Sequence, residues 1–340
     1  MENRTTVTEI SICIANYNGE KLLDRCLSAI KNQTITESYE IIVHDDASTD
    51  ASVELLETHY PEVKLIKSTI NKGFCASNNL MTEHASGKYL LLLNNDAFLM
   101  NDALETLFDT CRLLNDPVLT LPQYDADTEE LLDFGMDMDI FANPIPRQAN
   151  INEPICMVMG ACLWISKKKW EQIGGFPEWF VSIAEDMFIC CSARIKGTEV
   201  YCTQKSGYKH MVGQSFGGGK IIENSIKTTY KRRSLSERNK TFVMLCCYPT
   251  WALIAIFPLH LLLLLLEGTL LSVIKWQTKP LTKIYWPAMI APLKKIKEIK
   301  TTRYHIQEQK RTMGNSFFHP IKIKHHKLSV LIKHGLPSLS

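Results

Sequence analysis

Apolar residues fall into two alternating rhythms over the first third of the chain. "EISICIA" (9–15) is a continuous apolar run with the length of a buried strand. Leu22, Leu23, Cys26, Leu27 and Ile30 then recur at three-to-four spacing, which predicts a helix face. "YEIIVHD" (39–45) predicts a second strand, and residues 50–60 a helix with Ser48, Thr49 and Asp50 as candidate caps. "VKLIKS" (63–68), a helix over 74–85 and the strand "YLLLLN" (89–94) continue the alternation. Leu104, Leu107, Phe108 and Cys111 mark another helix, followed by the strand "VLTLPQ" (118–123). Strands and helices in alternation, with apolar strands, imply an α/β fold: a mainly parallel central sheet flanked by helices.

In open sheets of this kind, ligands bind beyond the carboxyl ends of the strands. Strand one ends in Ala15-Asn16-Tyr17-Asn18 and strand two in Asp45-Asp46-Ala47-Ser48. Asn71-Lys72-Gly73-Phe74 follows strand three, and strand four ends in Asn94-Asn95-Asp96. Taken singly, each is ordinary turn and cap chemistry. Together they make a crevice rich in carboxylates and amides, with no basic stripe for nucleic acid. Carboxylate oxygens at such a site suit Mg²⁺ or Mn²⁺, which in turn bind phosphate. The glycine signatures of dinucleotide and triphosphate loops are missing. "FGGGK" (216–220) lacks the phosphate-loop spacing and reads as a mobile glycine hinge.

Composition adds one feature. The net charge of +2 divides unevenly: residues 241–340 hold 14 Lys+Arg against 3 Asp+Glu, an acidic body thus carrying a basic tail. The 11 cysteines form no C-x-x-C pair and read as reduced, mostly buried thiols of a cytosolic protein. The N-terminus has no apolar run after a basic start, so no signal peptide is expected.

Seven motifs in order resemble glycosyltransferase family 2 enzymes of GT-A fold, especially the rhamnosyltransferase-like branch, from about residue 9 to 250. They are "SICIANYNGEKLLDRCLSAIKNQT", "EIIVHDDASTDAS", "NKGFCASNN", "LLLNNDA", "MGACLWISKKKWEQIGGFPEWF", "AEDMFICCSARIKG" and "RRSLSERNKTFVMLCCYP". The resemblance implies a catalytic domain over 1–240, with a donor half at about 9–123 and an acceptor half at about 124–240. Ala15, Asn16, Asn18, Asp45, Asn71, Gly73, Asn78, Asn94 and Asn95 would bind the nucleotide diphosphate sugar, with Asp45 at the base. "LLLNNDA" stands in the place of the family's D-x-D motif, so Asp96 and His210 would hold Mg²⁺ or Mn²⁺. Asp186 would be the base that takes the acceptor proton, Glu185 would orient acceptor or loop, and Gly217, Gly218 and Gly219 would let the next loop close. Reaction with inversion follows from one base and one displacement. This chain departs from the pattern at Asn94, where the family motif has Asp. It departs again at Phe188, where many relatives are acidic, and at Asp46, where Asn is more typical.

Residues 251–276, "WALIAIFPLHLLLLLLEGTLLSVIKW", are long enough to span a bilayer, which needs ~20 apolar residues. Pro249, Pro258 and the Glu267-Gly268 break interrupt a straight span, and seven lysines between 275 and 300 favour the cytoplasmic face. Residues 241–340 are therefore expected to be apolar helices and a basic tail that associate with the membrane. The expected location is the cytoplasmic face of the inner membrane, through a peripheral or re-entrant anchor. The alternative is a buried core helix with a solvated tail. The resemblance implies a UDP- or dTDP-linked donor, rhamnose being the branch-level sugar. A lipid-linked saccharide acceptor follows from the anchor. Two other readings stand beside it: a nucleotidyltransferase, which "ANYNGEKLL" fits poorly, and a non-catalytic membrane-bound scaffold of the same fold.

Overall fold

The structure is a computed structural model. It describes residues 8–149, 152–213, 218–222, 225–308, 310–311, 317–323, 325–335 and 338–339, with the backbone alone over 218–227. The chain clusters into two compact units. The first comprises Met1–Gly135, Pro146–Ser182 and Thr198–Met211; the second comprises Met136–Ile145, Ile183–Gly197 and Val212–Ser340.

The first unit opens with β1 (Ile10–Asn16), α1 (Glu20–Lys31), β2 (Tyr39–Asp45), α2 (Ser52–His59), β3 (Lys64–Lys67), α3 (Phe74–His84) and β4 (Tyr89–Asn94). It continues through β5 (Ala97–Leu99), α4 (Ala103–Leu113), β6 (Val118–Thr120), β7 (Gln123–Asp125) and β8 (Leu131–Asp133). The chain passes through β9 (Met136–Asp139) and β10 (Pro144–Pro146) before β11 (Cys162–Ser166) and α5 (Lys167–Ile173). After α6 (Glu185–Ile195) come β12 (Val200–Cys202) and β13 (Tyr208–His210).

Seven strands form the main sheet in the order β12-β6-β11-β4-β1-β2-β3. β1 runs parallel to both β2 and β4, and β2 parallel to β3. β11 is antiparallel to β4 and to β6, so the sheet is mixed. That reversal has no local signature, because "CLWIS" is as buried and apolar as its parallel neighbours. The core is made by inward residues of β1 and β4 (Ile10, Ile12, Ile14, Leu91, Leu93), Leu23, Leu27 and Ile30 of α1, and Leu104 and Leu107 of α4. Their alternation along each strand and three-to-four spacing along each helix explain why these elements form where the pattern predicts.

A second sheet of the first unit has the order β5-β13-β7-β8. β13 is antiparallel to β5, with Ala97 opposite His210, and parallel to β7.

The second unit is mostly helical. The hairpin β14 (Gly218–Ile222) and β15 (Ser225–Thr228) leads into α7 (Tyr230–Cys247) and α8 (Thr250–Ile274). α9 (Trp286–Lys294), α10 (Ile296–Glu308) and the helix His326–His334 follow. Gly218 and Gly219, read from the sequence as a hinge, lie within β14; Gly218 pairs with Thr228 of β15, and a register irregularity lies between Gly218 and Ile221. Gly217 lies outside the described residues. α8 runs unbroken through Pro258 and through Glu267-Gly268.

Candidate active site

The parallel register of β1, β2 and β4 lines up the polar strand ends. Ala15 lies opposite His44 and Asn94, and Asn16 opposite Asp45. Asn16 is 1% exposed and Asp45 2%. The Asn16 amide donates to Asp45 Oδ1 at 2.9 Å, and Ser48 donates to the same carboxylate through Oγ (2.6 Å) and its backbone N–H (3.0 Å). Asn95 donates to Asn16 Oδ1 at 2.8 Å. A buried carboxylate is thus fixed in one rotamer by three donors. Asn18 adopts a left-handed conformation (φ 51°) and accepts the Thr49 N–H at 2.8 Å. Gly19 leaves no room for a side chain: a Cβ there would collide with Asn16 and Asn95. Asp50 accepts the N–H of Glu20 at 3.0 Å and that of Ser52 at 3.1 Å, so it supports two helix starts at once.

Asp46, which the sequence marked only as a departure, has a defined task. Its two carboxylate oxygens accept the backbone N–H groups of Lys72 (2.7 Å) and Gly73 (2.8 Å). It therefore ties the end of β2 to the turn that begins α3. Gly73 needs to be glycine there, with φ +91° and Val181 Cγ1 2.9 Å from where a Cβ would sit. Asn71 is exposed beside this turn. The neighbouring asparagines bind protein: Asn78 is buried and donates to Phe74 O at 2.9 Å. Asn79 donates to Phe176 O (2.8 Å) and accepts from Phe176 N (2.9 Å), clamping the Gly174-Gly175-Phe176 turn.

Asp96 stands between β4 and β5. Pairing of β5 with β13 carries His210 to it, and Asp96 O accepts the Met211 N–H at 3.0 Å. Asp96 Oδ1 and His210 Nε2 face each other at 3.2 Å. Both side chains are buried, and Asp96 Oδ1 and His210 Nδ1 have no hydrogen-bond partner. A buried carboxylate oxygen with no hydrogen-bond donor, 3.2 Å from the imidazole Nε2, fits two neighbouring ligands of one divalent ion. Among the described residues no group of three or more His, Cys, Asp or Glu side chains is arranged to hold a metal. Two protein ligands leave positions open, as expected of an ion that also binds substrate phosphates. Asn94 Oδ1 is likewise buried and unpartnered.

In the second unit, Glu185 and Asp186 open α6, where the helix dipole favours carboxylates. Asp186 Oδ1 accepts the Met187 N–H at 2.7 Å. Glu185 is 6% exposed and its Oε2 has no partner. Burial first, and the Asp186 charge second, push the Glu185 carboxyl up to about 8. The chain enters α6 through two left-handed residues, Ile183 (φ 74°) and Ala184 (φ 67°), a conformation that costs about 1–3 kcal/mol each. Asn239 of α7 holds it there by donating to Ile183 O at 2.7 Å. Burial pulls the Arg232 guanidinium of α7 below its usual value, opposed by the Asp186 and Glu185 charges it faces. Within "RRSLSERNK", Arg232 thus faces the α6 carboxylates and Asn239 holds the entry to α6.

Residues 11–174 match the family model described as Glycosyl transferase family 2. A poly(ribitol-phosphate) beta-glucosyltransferase of Bacillus spizizenii is 40% identical over 210 residues, which are 60% of this chain and 32% of that protein. A chondroitin synthase of Escherichia coli is 39% identical over 106 residues, 30% of this chain and 15% of that one. The chain therefore spans about a third or less of the length of these relatives. Among solved structures, S. aureus TarS 1-349 in complex with UDP-GlcNAc aligns over 93% of both chains, with a TM-score of 0.54 and 17% identity. GalNAc-T7 with UDP, GalNAc and Mn2+ aligns over 70% of this chain and 48% of its own, with a TM-score of 0.57 and 15% identity. These likenesses bear out the expected α/β fold of GT-A type, its main sheet parallel except at β11.

Proposed function

We propose that this chain, whose residues 11–174 match the glycosyl transferase family 2 model, is a member of that family and moves a sugar from a nucleotide diphosphate donor to a saccharide hydroxyl with inversion. The observation that carries the reading is the buried Asp96–His210 pair beside the Asn16–Asp45 edge. In this reading Asp45, fixed by Asn16 and Ser48, receives the nucleoside, and the loop from Asn71 to Gly73 borders it. Asp96 and His210 would hold Mg²⁺ or Mn²⁺ together with the donor diphosphate, and Asn94 and Asn95 would line the same edge. The ion, when bound, would neutralise charge growing on the leaving phosphate. Asp186 takes the proton of the attacking hydroxyl, and Glu185, neutral at pH 7 by its raised pKa, orients the acceptor as a hydrogen-bond donor.

The work would divide between a catalytic part over 1–240 and a membrane-associating part over 241–340. The acceptor would be a glycan of the cell envelope, lipid-linked at the cytoplasmic membrane face. That class is favoured by relatives named for poly(ribitol-phosphate) and chondroitin. Rhamnose from a dTDP donor is the sugar suggested by the branch resemblance; glucose from UDP is the second reading, favoured by the name of the first relative.

The test is donor binding and hydrolysis by the purified chain. The panel is dTDP-rhamnose, UDP-glucose, UDP-galactose and UDP-GlcNAc, each with Mn²⁺, Mg²⁺ or EDTA, beside Asp96→Ala. A metal-dependent signal with one donor, lost in the variant, supports the reading and names the sugar. Binding of no donor under any condition sinks it in favour of a non-catalytic scaffold.

A further inference from the structure

We propose that α8 and α9 form an in-plane platform that seats the chain on an anionic bilayer surface, and that α8 does not cross the membrane. This deepens the membrane location proposed above. It rests on the geometry of the second unit and not on the transfer reaction.

α8 is the one helix among the described residues long and apolar enough to span a membrane: 25 residues with a mean hydropathy of 2.1. Length alone would permit a span, since 25 residues rise ~37 Å. Its two faces argue otherwise. His260, Leu264, Gly268 and Leu271 are buried, and at 3.6 residues per turn they share one face. That face is docked on charged protein. Glu267 Oε1 accepts from Arg233 Nη2 at 2.6 Å, and Glu267 Oε2 pairs with Lys327 at 2.8 Å. Lys327 and Lys240 both reach Glu237, which is 1% exposed, at 2.8 and 3.1 Å. His260 Nε2 meets Thr241 Oγ1 at 2.9 Å. A Cβ on Gly268 would come within 2.9 Å of Leu281 and Tyr285, so that neighbour is pressed against the α8 backbone. A transmembrane α8 would carry five interlocked charges toward the bilayer centre, or tear them apart.

The opposite face is bare and apolar. Trp251, Ile254, Leu262, Leu266, Leu270 and Val273 are all more than half exposed. No charged residue lies among the exposed positions of α8. Singly exposed apolar side chains are ordinary, but a contiguous row of this length marks an interaction surface. Beyond it, Trp276 is 93% exposed, and α9 adds Trp286 and Leu293. Tryptophan belongs at membrane interfaces. The occupant is chosen by charge. Lys279, Lys283, Lys294, Lys297 and Lys300 are exposed around these helices. A second copy of this chain would meet its own lysines there, whereas anionic headgroups would attract them. The layering within the unit has a further effect: α7, beneath α8, also packs on α6, which begins with Glu185 and Asp186. Membrane seating and the α6 carboxylates therefore share one rigid helical stack.

The experiment uses the full chain and vesicles, without donor or acceptor. Co-sedimentation is measured with phosphatidylcholine vesicles and with vesicles containing 30% phosphatidylglycerol, a composition of about one anionic lipid in three. Binding is expected to be at least ~10-fold tighter to the anionic vesicles and to fall off with salt. Leu262→Glu with Leu266→Glu should abolish it while circular dichroism and donor binding stay intact. Topology is read with Trp251→Cys and Trp276→Cys, one at each end of α8, using a membrane-impermeant maleimide; all 11 native cysteines are buried. Both positions labelled from the side of addition support the platform. Labelling from opposite sides overturns it in favour of a span. Equal binding to neutral vesicles overturns the anionic choice. No vesicle binding, with self-association that the double variant breaks, overturns the proposal in favour of a second copy. Donor binding is scored separately, so loss of vesicle binding leaves the transferase reading standing.

Discussion

Replacing Asp46 by Asn keeps the shape of the side chain and removes its charge. In the native protein both carboxylate oxygens accept backbone N–H groups, from Lys72 at 2.7 Å and Gly73 at 2.8 Å, at a residue only 4% exposed. A hydrogen bond to a charged group contributes about 1.5–3 kcal/mol net. Asn keeps one neutral acceptor and turns an NH₂ toward the second N–H, so the turn loses about 2–3 kcal/mol. At 1.36 kcal/mol per decade, local opening of the turn rises roughly 30- to 160-fold. Hydrogen exchange followed by mass spectrometry on peptides containing Lys72 and Gly73 reads this directly. The same loosening should raise the donor KM about tenfold with a smaller change in kcat, because the group positions rather than reacts. If exchange at Lys72 and Gly73 and the donor KM both stay within twofold of the native values, the clamp is not what orders this turn. A change in exchange without a change in KM would confine its role to folding.

Asp96→Ala should cut metal-dependent donor turnover by about 10²–10³-fold, and metal affinity should drop in a calorimetric Mn²⁺ titration; unchanged Mn²⁺ affinity would count against Asp96 as a ligand. Glu185 titrates at about 8 when folded and at about 4.3 when unfolded. Folding therefore takes up a proton between those values, and the stability it brings is complete below the lower pH and lost as pH rises through the upper one. Glu185→Gln should flatten that slope in urea unfolding across pH 5 to 8, by the same linkage; an unaltered slope would place the proton elsewhere. Glu237→Ala leaves buried Lys240 without a carboxylate partner and takes one of two from Arg233 and Lys327, and should cost about 3–5 kcal/mol in thermal or urea unfolding; a loss under 1 kcal/mol would show that the network is solvated in practice.

Much of the first unit was legible because its signals are local. "YLLLLNND" announces a buried strand and the polar end it delivers, and the paired register of β1, β2 and β4 follows from parallel alternation. What stayed hidden depends on contacts between distant segments. Asp96 and His210 were named together only through the family resemblance, because they meet through β5 and β13, three-residue strands with no periodicity to read. Asp46 acts on backbone N–H groups, which carry no side-chain signature. The resemblance pointed to Asn78 of "NKGFCASNN" and passed over Asn79, which clamps a turn near residue 176; Asn78 donates to Phe74 O of its own helix. Glu267-Gly268 read as a break in an apolar run. Its compensation lies in Arg233 and Lys327 for the charge and in Tyr285 for the missing side chain.

The pairing of β5 with β13 also sets a schedule. Asp96 leaves the ribosome well before His210, by roughly 110 residues, or on the order of ten seconds at typical elongation rates. Through that interval the nascent chain already carries the Asn16–Asp45 edge but only one of its two candidate metal ligands. On the proposed reading, a half-made polypeptide would be shaped to hold a nucleoside before it could grip the diphosphate.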